Sequence, residues 1–350
     1  MTTLESPTET ATRNADARNR LMSLINANWT TQAVSVAAQL RLPEMLCDGP
    51  RSADELAQAA HCHAPSLTRL LRALTSIGVL TELDDERFEL TSLGAFLRAD
   101  VAGSLAAWAE FCGTRSWSAW GCLLDSVRTG KSIRKRASGA DGFDHLHNDA
   151  QGAMLFNRAM VDLTQPIALA VARNLNFSGM DLIVDVGGGY GELLASILHE
   201  HSSMRGILFD LAHATVAVSA RLAAAGVEDR FKLVTGSFFD AVPDGGDGYF
   251  LKSVLHDWDD DLALQILKNC RRAMARDAKL FVIERIAPHH FRVSPNDQGI
   301  ARSDLNMLIS TGGCERSESQ YRKLLAAARL RVTHIVELDG PYCVIETQPF

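Results

Sequence analysis

An acidic residue and three glycines at alternate positions form the first group of residues that could do chemistry. Asp185 lies near the end of a short apolar run, and Gly187, Gly189 and Gly191 follow it before a helical pattern begins. Glycines at such a turn let a ligand approach the bare backbone at a helix N-terminus. A dinucleotide-binding G-x-G-x-x-G motif counted from Gly187 would end at position 192, where Glu192 stands, so a nicotinamide cofactor is disfavoured. Taken alone, the loop is also compatible with a plain tight turn.

A second acid narrows the interpretation of this loop. Asp210 ends the next predicted strand, 23 residues after Gly187. A carboxylate at that place can accept hydrogen bonds from both hydroxyls of a ribose. Asp185 and Asp210 around a glycine loop therefore predict a nucleoside cofactor.

A histidine followed by several acids forms the third group. His256 and Asp257 come after the fourth predicted strand, at the edge where doubly wound folds bind ligands. A histidine beside acids could hold a metal, but Asp259 to Asp261 stand where a helix begins, and acids there cap amide groups and meet the helix dipole. His256 is left as a candidate general base. The alternative is a histidine at a strand end with no catalytic role.

Length, charge and cysteine usage limit the class of protein. A chain of 350 residues predicts about two domains, and a net charge of −7 argues against a nucleic-acid partner. Seven dispersed cysteines without a C-x-x-C pair are typical of reduced thiols and predict a cytoplasmic location. We expect no metal at His61 to His63 and no membrane-spanning segment. The polar N-terminus, to about Asn19, is interpreted as a loose tail and not as a signal peptide.

The first hundred residues follow the pattern helix, helix, helix, hairpin, which is a winged-helix layout. A capping-box sequence begins at Ser52, Pro65 lies near the start of the next helix, and a hairpin is predicted over residues 79–91. This layout raises a DNA-binding regulator as a rival function. Residues 1–100 hold nine arginines, no lysine and thirteen Asp or Glu, which suits phosphate contacts badly. A dimerisation role is therefore preferred.

The rest of the chain predicts a helical segment and then an α/β domain. Residues 101–178 are interpreted as a mostly helical connector, with an exposed basic loop from Gly130 to Gly142. From residue 179 to residue 350, apolar strands alternate with helical patterns, which predicts a doubly wound sheet. Only Gly340 and Pro341 separate the last two strands, so these should form an antiparallel hairpin at one edge.

Together with these patterns, several short stretches resemble the plant-type, metal-independent O-methyltransferases and their bacterial antibiotic-tailoring relatives. The glycine loop itself is similar to that of enzymes that use S-adenosylmethionine (SAM). The similar stretches run in the family's order along nearly the whole chain: Trp29–Ala33, Leu70–Leu74, Phe156–Met160, Asp185–Gly191, Phe209–Leu211, Gly236–Phe239, Leu255–Trp258, Glu284–Arg285 and Gly312–Arg316. The resemblance implies a Rossmann-like catalytic domain behind an N-terminal winged-helix dimerisation domain.

The resemblance also implies a SAM site, with S-adenosylhomocysteine (SAH) as the product. Its expected residues are Asp185, Gly187, Gly189, Asp210, Leu211, Ser237, Phe238, Lys252, Ser253 and Trp258. In this set Asp210 would hold the ribose, while Ser237 and Phe238 would flank the adenine. Plant members usually carry an aspartate at the position of Ser237, and a serine accepts from the adenine amine more weakly.

For catalysis, the resemblance implies that His256 is the base and that Glu284 and Glu315 flank its ring, with no metal required. From their positions alone, Glu284 could be a strand-end acid and Glu315 a helix cap. The connector would help to line an acceptor pocket whose expected residues are Phe111, Phe156, Asn157, Met160, Asn306 and Met307.

A mechanism follows from charge. The methyl group of a sulfonium is already activated, so the protein aligns the reactants and makes the nucleophile. A phenol with a pKa of about 10 is protonated at neutral pH, and a histidine with a pKa near 7 could remove its proton. We predict a homodimeric O-methyltransferase acting on an aromatic hydroxyl of a secondary metabolite, without nucleic-acid or membrane partners. The alternative is the same fold methylating nitrogen or carbon, or carrying out another SAM-assisted reaction.

Overall fold

The computed structural model describes residues 7–139, 142–338 and 340–350. The chain divides into two compact units, one ending at Thr114 and one beginning at Arg115. This boundary falls inside the segment predicted as a connector, so that residues 101–114 belong to the first unit and residues 115–178 to the second. Every helix in the described residues is too short or too polar to span a membrane. All seven cysteines lie in the described part and carry free thiols.

The N-terminal unit is mainly helical and contains a small sheet. Its elements are α1 (Pro7–Gln39), α2 (Leu42–Met45), β1 (Arg51–Ser52), α3 (Ala53–Ala59), α4 (Ala64–Ser76), β2 (Leu80–Glu82), β3 (Arg87–Leu90), α5 (Ser92–Ala95) and α6 (Ala106–Gly113). The expectation of a loose N-terminal tail is wrong from Pro7 onward, because α1 begins there; residues 1–6 lie outside the described residues.

The predicted winged-helix layout is present in this unit. Ser52 and Glu55 form the capping box that begins α3. Helix α4 buries Leu67, Leu71 and Leu74 on one face, as its 3.6-residue periodicity requires. Strands β2 and β3 form the expected hairpin, and β1 joins β3 to give the order β1-β3-β2.

The C-terminal unit is an α/β fold that begins with short helices. Its elements are α7 (Arg115–Trp120), α8 (Leu123–Thr129), α9 (Ile133–Ser138), α10 (Ala150–Asn174), β4 (Leu182–Val186), α11 (Glu192–Glu200), β5 (Arg205–Asp210), α12 (Val218–Ala224), β6 (Phe231–Thr235), β7 (Gly248–Lys252), α13 (Asp260–Ala273), β8 (Lys279–Arg285), α14 (Pro295–Ser310), α15 (Glu318–Ala327), β9 (Leu330–Glu337) and β10 (Tyr342–Pro349).

The seven strands form one sheet in the order β6-β5-β4-β7-β8-β10-β9. Strands β4 to β8 pair in parallel, whereas β10 runs antiparallel to both β8 and β9. The predicted edge hairpin is therefore confirmed. Because this order reverses direction at β4, the carboxyl ends of β4, β5 and β7 meet where doubly wound folds bind ligands.

Helices cover both faces of the sheet. Successive residues of a strand point to opposite faces, so Ile183 packs into the cluster formed with α10 and α11, while Val184 packs into the cluster formed with α13 and α15. Both side chains are fully buried. Burial on both faces explains why β4 is almost entirely aliphatic in sequence.

Two elements differ from the sequence prediction. The basic segment from Gly130, expected to be a loop, contains α9, which begins after the cap residue Ser132; residues 140 and 141 lie outside the described residues. Helix α14 was not predicted, although Ser294 caps it by accepting from the Asp297 amide and Pro295 occupies its first turn. Only Ile300, Met307 and Ile309 of α14 are buried, so its apolar periodicity is weak.

Candidate active site

The glycine loop connects β4 to α11 and brings the backbone close to the next strand. Gly187 has a φ of 74°, and a Cβ on it would lie 2.9 Å from Val254 Cγ2. Gly189 has a φ of 55°, and nothing lies within 4 Å of the place its Cβ would take. Gly191 caps α11 with a φ of 79°. The loop therefore needs glycine for its conformation and, at Gly187 and Gly191, also for space.

Asp210 holds this loop to the end of β5. Its Oδ2 accepts from the Gly189 amide at 2.8 Å, and its Oδ1 accepts from the Leu211 amide at 2.6 Å. Asp185 lies beneath the loop, and its buried Oδ2 has no partner among the described residues. Burial, followed by the charge of Asp210, raises the pKa of Asp185 to about 7.

Aromatic rings stand beside the loop at the neighbouring strand ends. Trp258 lies edge-on to Phe238, with ring centroids 6.0 Å apart, and to Phe239 at 4.7 Å. The indole Nε1 of Trp258 is buried and has no partner among the described residues. Ser237 Oγ accepts from the Phe239 amide at 3.2 Å. Unpartnered groups at Asp185 and Trp258, on either side of an open glycine turn, fit a nucleoside-containing ligand with polar groups of its own.

Lys252 ends β7 and Ser253 follows it directly, before the turn that carries His256. Lys252 Nζ donates to Thr164 Oγ1 on α10 at 2.8 Å. Burial lowers the pKa of Lys252 to about 8, although the Glu284 charge opposes this shift. Ser253 adopts a φ of 53°, and its Oγ lies 3.3 Å from the hydroxyl of Tyr342. A non-glycine residue in this conformation turns the chain sharply away from the sheet.

The turn that carries His256 is anchored from behind. Glu284 Oε1 accepts from the amides of Val254, Leu255 and His256 at 3.0, 2.9 and 3.3 Å. The fully buried Arg316 donates to the carbonyl oxygens of Leu255 and Trp258, both at 2.7 Å. These bonds satisfy polar groups of a buried turn whose regular structure is one turn of 3-10 helix, Leu255–Asp257.

Gly313 allows the chain to pass directly against this turn. A Cβ on Gly313 would overlap the carbonyl oxygen of His256 and would lie 2.6 Å from the Trp258 amide nitrogen. Both neighbours are backbone atoms, which cannot move aside as a flexible side chain would. Position 313 therefore requires glycine for space, which is a reason independent of φ.

Two carboxylates face one nitrogen of the His256 ring. Nδ1 lies 3.0 Å from Glu315 Oε1 and 3.5 Å from Glu284 Oε2, while Nε2 lies 4.0 Å from Asp257 Oδ1. Burial lowers the pKa of His256, but the charges of Glu284, Asp257 and Glu315 and the Glu315 hydrogen bond outweigh burial and raise the pKa to about 9. This value replaces the pKa near 7 expected from the sequence. The protonated ring is thus strongly stabilised.

Glu315 is itself held by a second set of groups. Ser303 Oγ on α14 donates to Glu315 Oε1 at 2.6 Å, and Arg285 Nη1 donates to Ser303 Oγ at 3.2 Å. Tyr342 lies directly opposite Arg285 in the β10–β8 pairing, and the Arg285 guanidinium stacks 4.4 Å from its ring centroid. The helix-cap interpretation of Glu315 is wrong, because Ser317 caps α15.

The same three groups could in principle ligate a cation. His256, Glu284 and Glu315 each offer one ligand atom, and these atoms lie within 4.8 Å of one another. By contrast, the acids after Trp258 cap a helix as predicted: Asp259 accepts from the Leu262 amide at 3.0 Å at the start of α13.

The residues expected to line the acceptor pocket come mostly from two helices. Phe156, Asn157 and Met160 lie on α10, which also carries Thr164, and Asn306 and Met307 lie on α14. Asn157 and Met307 are buried. Phe111 differs, because it lies on α6 of the N-terminal unit, where it stacks on Trp108 with ring centroids 5.8 Å apart.

Some residues of this site were missed by sequence reasoning. Ser303 and Tyr342 carried no signal, because their contacts depend on α14 and on the register of the last strands. Arg285, Gly313 and Arg316 lie inside stretches that carried the resemblance, but no role was assigned to them.

Comparison with known proteins identifies the family. Residues 120–331 match the O-methyltransferase domain, and residues 22–100 match the O-methyltransferase dimerisation domain. The chain belongs to the O-methyltransferase family.

Relatives of this methyltransferase act in bacterial natural-product pathways. It is 36% identical to a phenazine O-methyltransferase of Lysobacter antibioticus over 94% of this chain and 95% of that protein. It is 37% identical to the mitomycin biosynthesis 6-O-methyltransferase of Streptomyces lavendulae, over 99% of both chains. An N,N-dimethyltransferase of 8-amino-8-demethylriboflavin from Streptomyces davaonensis is 31% identical over 88% of this chain and 89% of that protein.

Solved structures agree with this assignment. The crystal structure of LaPhzM has a TM-score of 0.90 at 35% identity, covering 95% of this chain and 99% of that one. An O-methyltransferase from neocarzinostatin biosynthesis, solved with SAM and 2-hydroxy-5-methyl naphthoic acid, has a TM-score of 0.76 at 32% identity, covering 92% of this chain and 96% of that one. The protein is a methyltransferase that uses SAM and releases SAH.

Proposed function

We propose that this methyltransferase methylates an aromatic hydroxyl of a secondary metabolite, with His256 as the general base and without a metal. The observation that carries the proposal is the asymmetry of the His256 ring. Nδ1 faces two buried carboxylates, whereas Nε2 has no hydrogen-bond partner among the described residues. A ring held on one side and free on the other is suited to take a proton from an acceptor.

In the proposed reaction, SAM supplies a methyl group that is activated by its sulfonium charge. His256 Nε2 would take the proton of the acceptor hydroxyl as the oxygen–methyl bond forms and the methyl–sulfur bond breaks, which leaves neutral SAH. Glu315 and Glu284 hold the Nδ1 proton and stabilise the imidazolium that results. The pKa of about 9 for His256 is close to that of a phenol, about 10, so the proton is transferred with little change in free energy. The active form is the neutral ring.

The same proposal assigns the cofactor and acceptor sites. The cofactor would be held by the residues of the glycine loop and neighbouring strand ends: Asp185, Gly187, Gly189, Asp210, Leu211, Ser237, Phe238, Lys252, Ser253 and Trp258. The acceptor would lie against α10 and α14, and support comes from the rings of Phe156 and Phe143, 5.6 Å apart, and of Phe143 and Trp258, 6.3 Å apart. These contacts connect the acceptor helix α10 to the proposed cofactor site.

Chemistry without a metal is supported by how the carboxylates are used. The Nδ1 to Glu315 Oε1 separation of 3.0 Å is that of a hydrogen bond with a shared proton. Glu284 Oε1 already accepts from three amides. A bound cation would have to displace the Nδ1 proton, so we expect activity to persist in the presence of excess EDTA. Loss of activity that Mg²⁺ or Zn²⁺ restores would contradict this part of the proposal.

Nitrogen methylation is the second candidate, and the riboflavin-type relative favours it. A neutral amine or ring nitrogen attacks without losing a proton first, so it needs no base. The two candidates therefore differ in their dependence on His256.

The decisive experiment pairs two variants with a panel of phenols, anilines, phenazines and naphthols. His256→Ala should bind SAM with unchanged affinity by calorimetry but methylate hydroxyls roughly 10² times more slowly or worse. Its defect should shrink as the pH approaches the pKa of the acceptor, because solvent then supplies the phenolate. Asp210→Ala should instead weaken SAM binding by about 1.5–3 kcal/mol. Near wild-type turnover of a folded His256→Ala protein would favour the nitrogen acceptor.

We further propose a homodimer formed through residues 1–100, the dimerisation part of the three-part division predicted from the sequence. The α1 helix exposes a cluster of large apolar side chains: Leu21, Met22, Leu24, Ile25 and Trp29. Most of them lie inside the matched dimerisation domain. A second copy of this chain is the partner that would remove this surface from water.

A further inference from the structure

Arg134 on α9 is a half-buried cation at the end of an acceptor helix. Its Nε donates to the carbonyl oxygen of Ser310, the last residue of α14, at 2.7 Å. Ser310 Oγ in turn lies 3.5 Å from Asn306 Oδ1, one turn earlier on the same helix. Arg134 therefore sits beside a residue assigned to the acceptor site, and its Nη atoms donate no hydrogen bond to any residue that the structure describes.

The charge of Arg134 is not matched by a close carboxylate. Among the residues that the structure describes, no carboxylate forms an ion pair with Arg134. The charge of Asp257, the neighbour of His256 in the chain, raises the pKa of Arg134 but does not outweigh burial. Other arginines nearby are paired: Arg136 on the same helix lies 3.0 Å from Asp125. Burial lowers the pKa of Arg134 to about 10, so it stays charged at neutral pH. Keeping a half-buried cation without a carboxylate partner costs free energy that a bound anion would offset.

We propose that Arg134 selects aromatic acceptors that carry a carboxylate, which its free Nη groups bind. The planar guanidinium presents paired N–H donors that match the two oxygens of a carboxylate. The Ser310 contact places the guanidinium at the end of α14, the helix that also carries Asn306 and Met307 of the proposed acceptor site. The inference rests on the proposed O-methylation and adds a class of acceptor, the aromatic hydroxy acids.

The test compares hydroxynaphthoic acids with the methyl ester of each, using the intact protein and saturating SAM. The wild type should prefer the acids by about tenfold or more in kcat/KM. Arg134→Gln should lose roughly 10–100-fold in kcat/KM for the acids, mainly through KM, with less than threefold change for the esters. Arg134→Lys should keep part of the preference because it retains the charge. Arg136→Gln is the matched control and should change neither class, since Arg136 is paired with Asp125.

The outcomes separate this inference from the function on which it rests. If the wild type methylates acids and esters equally well, or if Arg134→Gln slows both equally, Arg134 only supports the fold and the inference is wrong while O-methylation stands. If no hydroxyl of any acid or ester is methylated, while amines are, the proposed function fails as well.

Discussion

Ser303 Oγ and His256 Nδ1 share one acceptor, Glu315 Oε1, at 2.6 and 3.0 Å. The serine hydroxyl and the imidazole thus compete for the same negative charge. Because Arg285 donates to Ser303 from behind, the hydroxyl proton is directed towards Glu315. Ser303 therefore sets both the orientation of Glu315 and the charge that the imidazole experiences.

Removing this hydroxyl should change the pH profile as well as the rate. Ser303→Ala removes the hydrogen bond from the serine, so more of the Glu315 charge acts on the imidazolium. The acidic limb of the pH profile of kcat/KM should therefore move to higher pH, and kcat/KM at pH 7 should fall roughly 3–10-fold. Ser303→Thr retains the hydroxyl and is the matched control. A lower rate with an unmoved limb would mean that Ser303 supports α14 and does not position Glu315.

The pKa of His256 predicts how the wild-type rate depends on pH. The folded protein raises this pKa to about 9, which favours the charged ring, and a charged ring cannot accept the acceptor's proton. The kcat/KM should therefore rise about tenfold per pH unit up to about pH 9 and then level off. Steady-state rates measure this pH profile when the hydroxyl of the acceptor has a pKa above that of His256. Glu315→Gln removes one negative charge beside the ring and should move the acidic limb of the pH profile to lower pH. For the wild type, a flat profile from pH 6 to 9 would rule out His256 as the base.

Gly313 should be intolerant of the smallest added side chain. Gly313→Ala places a methyl group against the backbone of His256 and Trp258, so we expect a loss of about 1–3 kcal/mol or more in the free energy of unfolding, with turnover reduced further. Gly299→Ala on α14 is the control, because nothing lies within 4 Å of its Cβ and alanine favours a helix by about 1 kcal/mol. Chemical denaturation compares the two. Equal stability of both variants would show that the backbone near position 313 can yield.

The α1 surface should control oligomeric state. Leu24 is 67% exposed in the single chain, and Leu24→Asp would place a charge in the proposed apolar interface. The dissociation constant of the dimer should rise roughly 30-fold or more, and sedimentation equilibrium measures it. Val216→Asp is the matched control, because Val216 is 81% exposed but lies outside the dimerisation domain. A wild-type monomer at micromolar concentration, or an unaffected Leu24→Asp dimer, would remove α1 from the interface.

The fold was largely predictable because its signals are local. The β4 strand is aliphatic except for Asp185, and the short connection between β9 and β10, which contains Gly340 and Pro341, leaves room only for a hairpin. Helix α14 escaped prediction because just three of its sixteen residues are buried, so the apolar periodicity that identifies a helix is nearly absent. Ser294, Pro295 and Asp297 gave the one usable signal, a helix start with a proline in its first turn.

The residue types of the candidate site were predictable, but the distances and contacts between these residues were not. His256, Glu284 and Glu315 were recognised by resemblance, and the structure brings them together. Their mutual distances decide the pKa of His256, and no sequence pattern gives those distances. Arg316 reaches back 61 residues to Leu255, and Tyr342 meets Arg285 only through strand register. Such long-range contacts depend on how the elements pack, which the sequence does not state locally.

The three amides that donate to Glu284 Oε1 also bear on the hydrogen exchange of this region. Amide protons in a short turn usually exchange with solvent quickly, since small local openings expose them. Here the protons of Val254, Leu255 and His256 share a single buried acceptor on β8, so none is released unless the turn leaves that strand. We therefore expect these three amides to exchange as slowly as those of the central sheet, and more slowly than those of the surface loops.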